Sequence, residues 1–184
     1  MPRNILPEAA EKGSLDSTLR TLQMEISTAI SGFPAEKWGV HPPGKWCAAE
    51  ILEHLYLSYT GTIRGFEHTL KAGRPLGTRA TVRQRIFTLV VVGFGHMPTG
   101  EAPAVARPRG LAREKVLAEI GGKIEEMDAA IRRGEEKHGT QVKLLDHPIL
   151  GPLTGPQWRK LHLVHGRHHL KQIRALGEMA VVGA

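Results

Sequence analysis

Apolar residues in this chain return every three or four positions, over stretches long enough for several helical turns. Leu15, Leu19, Leu22, Ile26 and Ile30 do so first. Leu52, Leu55, Tyr59, Ile63, Phe66 and Leu70 follow, and Val116, Leu117, Ile120, Ile124, Met127 and Ile131 form a third set. That period places one face of each helix in a core. Breakers stand between the stretches: Gly32 with Pro34, Gly73 with Pro75, three prolines within 95–110, and Gly139.

Local chemistry adds expected boundaries. Ser14 suits a first N-cap, with Asp16 in the first turn. Thr154 suits the last, with Pro156 early in the helix and Gln157 at the capping-box position; that helix runs to about Leu176. The segment from Thr81 to Phe94 has two readings. Phe87 to Val92 is β-branched enough for a buried strand. Val82, Ile86, Leu89 and Val90 fit a helix, and no second strand offers to pair, so a helix is expected. Residues 33–46, 95–110 and 147–156 are expected to be connectors. Gly121-Gly122 sits inside a long amphipathic helix and costs about 1 kcal/mol per glycine relative to alanine, so a close helix crossing or a kink is expected there.

The expected fold is all-α: a four-helix bundle with one additional helix. Residues 1–13 read as an N-terminal arm, 14–178 as one domain, and 179–184 as a C-terminal tail.

Composition narrows the context. The longest apolar run, Leu89 to Val92, is far short of a membrane span. The N-terminus has no apolar segment of the secretory type. Cys47 is the single cysteine, so no internal disulfide forms. A cytoplasmic protein is expected. The formal charge of +7 is local: between Lys71 and Arg113 there are eight Lys or Arg residues and one acid, Glu101, while the rest of the chain is balanced. Such a block is a solvated face or attracts an anionic partner.

The chain has ten histidines. His41, His68, His96, His138 and His147 are scattered, and each reads first as a surface or loop residue. The last helix carries His162-Leu-Val-His165-Gly-Arg-His168-His169. His165 and His169, four apart, lie on one face about a turn apart, which lets two imidazoles chelate one ion. Leu161, Val164, Ile173 and Leu176 make this a packed helix, and polar groups turned inward need partners. A third ligand completes a divalent site. His54, beside Ile51, Leu52 and Leu55, is the candidate, although a lone histidine on an apolar face is more often a core residue.

Two segments carry a family resemblance. Lys45-Trp46-Cys47-Ala48-Ala49-Glu50-Ile51-Leu52-Glu53-His54-Leu55 resembles the metal-ligand helix of the DinB/YfiT-like superfamily. His165-Gly166-Arg167-His168-His169-Leu170-Lys171-Gln172-Ile173 resembles its C-terminal ligand helix. His147 through Trp158 is similar to the approach segment of an uncharacterised subgroup. The resemblance implies a DinB/YfiT-like four-helix bundle, often dimeric, that holds zinc or nickel on His54, His165 and His169. Cys47 departs from the Ser or Thr usual at that cap, and the Glu50 half of a capping box survives the change.

Three neutral ligands leave a coordination position open, which favours activity over scaffolding. Some DinB-like relatives are thiol-dependent S-transferases or isomerases. The expected function is therefore a metal-dependent, thiol-dependent S-transferase with a low-molecular-weight thiol cosubstrate, to which the basic block from Lys71 to Arg113 is suited. Two alternatives stand beside it: a metal-dependent hydrolase using Glu50 or His147 as general acid or base, and a non-enzymatic, stress-related metal- or ligand-binding module. Expected partners are a small, anionic molecule and a second copy of the chain. Nucleic acid is not expected, since no helix-turn-helix or aromatic-basic signature is present, and a membrane is not expected, since no apolar run is long enough to span one.

Overall fold

The computed structural model describes residues 14–98 and 100–179. The expected N-terminal arm, and the tail beyond Met179, lie outside the described residues.

Among the described residues, five α-helices form: α1 (Ser17–Ser31), α2 (Ala48–Ala72), α3 (Val82–Thr88), α4 (Arg113–His138) and α5 (Gly155–Glu178). α2 lies mainly along α4, and α1 mainly along α5, with α2 also meeting α5. The fold is all-α, as its apolar period requires. Leu19, Leu22 and Ile26 from α1 fill the centre with Leu52, Leu55, Tyr59 and Phe66 from α2. Ile124, Met127 and Ile131 of α4 and Leu170 and Ile173 of α5 complete it.

The caps follow local chemistry with one change. Thr154 and Gln157 close the expected capping box at α5. Gly73 ends α2 in the left-handed conformation, which a glycine adopts without a Cβ clash. At α1 the cap is Asp16 rather than Ser14. Asp16 Oδ1 accepts the Thr18 N–H at 2.8 Å, and the Asp16 N–H donates to Asp128 Oδ2 at 2.9 Å. Ser14 Oγ instead accepts from Arg20.

Three further expectations are changed or sharpened. The 147–156 connector contains part of a hairpin, β1 (Leu145–His147) antiparallel to β2 (Gly151–Leu153), with Asp146 opposite Pro152. His147 closes its turn, because its Nδ1 accepts the N–H groups of both Ile149 and Leu150 at 3.2 Å. Buried Leu144 and Leu153 pin the hairpin to the core. Second, α3 is helical and runs into a wider turn at Leu89–Gly93. Its spacing left open which face turns inward: Val82, Ile86 and Leu89 are exposed and Val91 is buried. The four long helices already close the core, so α3 rests outside them on its opposite face, with Thr88 Oγ1 donating to the Leu150 carbonyl. Third, Gly121-Gly122 is not a tight crossing: a Cβ at Gly121 would meet only Gln23 at 3.6 Å, and one at Gly122 would meet nothing. A close helix approach occurs instead at Gly166, where a Cβ would strike Leu22 of α1, and at Gly155, where it would strike Glu135 of α4.

Candidate metal centre

α2 and α5 bring His54, His165 and His169 together. Their Nε2 atoms converge: His165 Nε2 lies 3.0 Å from His54 Nε2 and 3.0 Å from His169 Nε2. The rings meet edge to face, with His54 centred 5.0 Å from His165 and 4.7 Å from His169. The helix period places the two α5 imidazoles one turn apart, and the contact of α2 with α5 supplies the third.

The outer nitrogens set the tautomers. His54 Nδ1–H donates to the Ala106 carbonyl at 2.7 Å, an oxygen that only accepts. His169 Nδ1–H donates to Gln172 Oε1 at 2.7 Å. The proton on each of these rings is therefore on Nδ1, and both Nε2 lone pairs point at His165 Nε2. One proton on His165 Nε2 can serve only one of them at full strength. Three imidazole nitrogens meeting in this way suit a shared cation better than they suit each other.

Electrostatics agree. Burial is the largest cause of depression at all three rings. It lowers His54, against the raising effect of Ala106, and pushes His165 well below the usual imidazole range with help from His169 and His54. Burial and then His54 take His169 down to about 4. Neutral rings keep their lone pairs free for a metal. Tetrahedral coordination with Zn–N bonds near 2.0–2.1 Å needs N···N separations of roughly 3.3 Å, which small ring movements supply. The three residues fit the ion the resemblance implies. Among the described residues no fourth His, Cys, Asp or Glu ligand atom joins this cluster.

The expected catalytic candidates line the same cleft, of about 1520 Å³, but stand apart from the triad. Glu50 Oε2 accepts the Cys47 N–H at 2.9 Å and lies 2.9 Å from His41 Nε2. His147 is lowered by burial to about 4 and spends its Nδ1 on the hairpin turn. His162, one turn before His165, is buried with its Nε2 3.0 Å from Thr62 Oγ1. Thr62 Oγ1 donates to the Ser58 carbonyl, so it accepts from His162. His168 is half-buried; its ring packs edge to face on His169 at 5.1 Å and its Nε2 meets Gln172, so it stands behind the triad rather than in it.

Three supporting groups went unmarked in the sequence reading. Gln172 is three residues after His169, a spacing that does signal a helix neighbour. The Ala106 carbonyl and buried Glu53 gave no usable signal. Glu53 accepts the N–H groups of Arg109 at 2.8 Å and Gly110 at 3.2 Å, and so ties down the loop that carries Ala106.

No curated protein matches the chain, and no solved structure does. One family model matches residues 35–175, a span from the turn before α2 through both ligand helices. The chain therefore belongs to the family described as protein of unknown function DUF1569.

Proposed function

We propose that this protein holds a divalent metal, zinc or nickel, on His54, His165 and His169, and uses it to transfer a low-molecular-weight thiol to an electrophile. The observation that carries the reading is the convergence of three Nε2 atoms, two of them on rings whose Nδ1 protons are already donated elsewhere. The resemblance of both ligand helices to those of DinB/YfiT-like proteins supports it and adds the thiol.

A divalent ion bound there supplies a Lewis-acidic centre that favours thiolate over thiol at neutral pH. The chain's own groups do the rest. The Ala106 carbonyl and Gln172 orient two ligand rings and keep their tautomers, the usual work of groups behind a metal ligand. Phe87, Val91, Leu150 and Leu161 give the cleft apolar walls, and Lys45, Arg83 and Arg107 line it as cations. Those walls suit an apolar electrophile and an acidic thiol. Glu50 is committed to its helix cap and to His41, which weighs against the hydrolase alternative. The single buried Cys47 agrees with a reducing, cytoplasmic setting, and a homodimer is part of the same proposal.

The test uses untagged protein. Elemental analysis is expected to find about one equivalent of metal, lost in His54→Ala, His165→Ala and His169→Ala. Gln172→Leu is expected to weaken metal binding 10- to 100-fold. Metal-loaded protein is then incubated with bacillithiol or glutathione and a chlorinated aromatic. A conjugate formed by wild type and lost with the metal supports the transferase. Metal binding without any conjugate leaves the non-enzymatic binding module, and no metal at all overturns the centre.

A further inference from the structure

α3 turns an apolar stripe to solvent. Val82, Ile86 and Leu89, spaced by four and three, are 74%, 58% and 56% exposed, and Phe94 beyond them is 76% exposed. At about 100° per residue, Arg85 falls on one flank of the stripe and Arg83 on the other, where its guanidinium lies over the Phe87 ring at 5.5 Å and borders the cleft. Both are exposed, as is Arg79 just before the helix. Among the described residues, none of these three arginines forms an ion pair. The one acid in the surrounding segment, Glu101, is taken by Arg107 at 2.8 Å. A cavity of about 530 Å³ opens beside Leu89, with Arg85 and Lys143 in its wall and no carboxylate.

A single exposed aliphatic residue needs no explanation; a helical stripe edged by unpaired arginines on both sides does. A second copy is a poor cover. A two-fold contact sets the patch against itself, which would face Arg79, Arg83 and Arg85 with their own copies and no acid between them. A folded protein partner would need pockets for these protruding side chains and carboxylates for the arginines at matched positions, a match that a bilayer does not require. An anionic bilayer satisfies both halves: its acyl boundary receives protruding apolar side chains, and its phosphates receive arginines.

We propose that α3 docks this protein on an anionic phospholipid surface. Val82, Ile86, Leu89 and Phe94 enter the acyl boundary while Arg79 and Arg85 meet headgroup phosphates. This is a surface contact, in keeping with the finding that no described helix is long and apolar enough to cross a membrane. It departs from the expectation of no membrane partner, which rested on the lack of a span. The inner face of the same segment, through Phe87 and Val91, walls the cleft at the metal centre, so docking brings that wall to the bilayer. The proposal stands whether or not the centre is catalytic.

The full chain is sedimented with phosphatidylcholine vesicles and with vesicles of phosphatidylcholine and phosphatidylglycerol at three to one. Binding to the second set alone, weakening as salt rises, is the expected result. Ile86→Asp with Leu89→Asp is expected to lower affinity at least tenfold. Arg79→Gln with Arg85→Gln is expected to lower it about 25-fold, at roughly fivefold per arginine. The altered side chains are exposed, so thermal melts should match wild type. No sedimentation of wild type with the anionic vesicles at low salt overturns the proposal and leaves an acidic protein as the partner. Self-association of wild type that Ile86→Asp with Leu89→Asp abolishes overturns it in favour of a second copy.

Discussion

Glu53 and His54, neighbours on α2, hold two points of one loop. Glu53 accepts the Arg109 N–H at 2.8 Å, and His54 Nδ1 donates to the Ala106 carbonyl at 2.7 Å. Consecutive residues on a helix point about 100° apart, so the loop is pinned across the helix rather than at one spot. The ring that offers Nε2 to the three-histidine cluster is thus oriented by a carbonyl whose own place is tied to Glu53.

Glu53→Gln keeps the shape of the side chain and loses its charge, which weakens both bonds to the loop. The expected result is a zinc affinity roughly tenfold below wild type, the low end for groups behind a metal ligand. Competition with a chromogenic chelator measures it. An unchanged affinity would show that the Ala106 carbonyl holds its place without Glu53.

Acid should destabilise the metal-free protein. His147 and His169 are held near 4, and His162 near 3, in each case chiefly by burial. An unfolded imidazole takes up a proton near 6.5. Between these values the unfolded chain binds more protons than the folded one, so stability rises with pH. It is complete above about 6.5 and is lost as pH falls toward 4. The slope is at most about 1.4 kcal/mol per pH unit for each such ring. Urea midpoints at pH 7.5 and 5 should therefore differ clearly, and equal midpoints would contradict the assignment of neutral buried rings.

Arg159 of α5 joins α4 at two buried points, Asp128 at 2.7 Å and Glu135 at 2.8 Å. Asp128 also takes the backbone N–H that begins α1. Arg159→Met should cost about 3–5 kcal/mol, because it leaves buried carboxylates without a counter-charge. Adding Asp128→Asn should recover part of that loss. Urea denaturation of the two variants reads both numbers, and a neutral Arg159→Met would mean that water reaches the carboxylates.

Gly166 lies between His165 and His169 on α5 and against α1. A Cβ there would strike Leu22, a fully buried core residue. Gly166→Ala should therefore destabilise by about 1–3 kcal/mol through overpacking, despite alanine's better helix propensity. It should also weaken zinc binding, since α5 must shift to relieve the clash. A thermal melt and a zinc titration on the same sample check the pair. A stabilised variant would show that α1 yields instead.

The helices were legible because a 3.6-residue period is a local property, carried by Leu19, Leu22 and Ile26 or by Leu52, Leu55 and Tyr59 without reference to anything distant. The Thr154–Gln157 cap and the His165–His169 pair are local for the same reason. His54 was different: spacing on its own helix favoured a core residue over a ligand, and a family resemblance was needed to join it to α5. Whether α3's stripe faced in or out depended on how much core the other four helices had already closed, so the period of Val82, Ile86 and Leu89 gave the helix and left its orientation open. The hairpin at His147 escaped notice because two three-residue strands carry almost no alternation. Sequence alone thus determined which segments are helical and which two imidazoles share a face. Tertiary structure decided where His54 meets them and which carbonyl turns its ring, because those contacts join residues 52 and 111 positions apart, and no periodicity reaches that far.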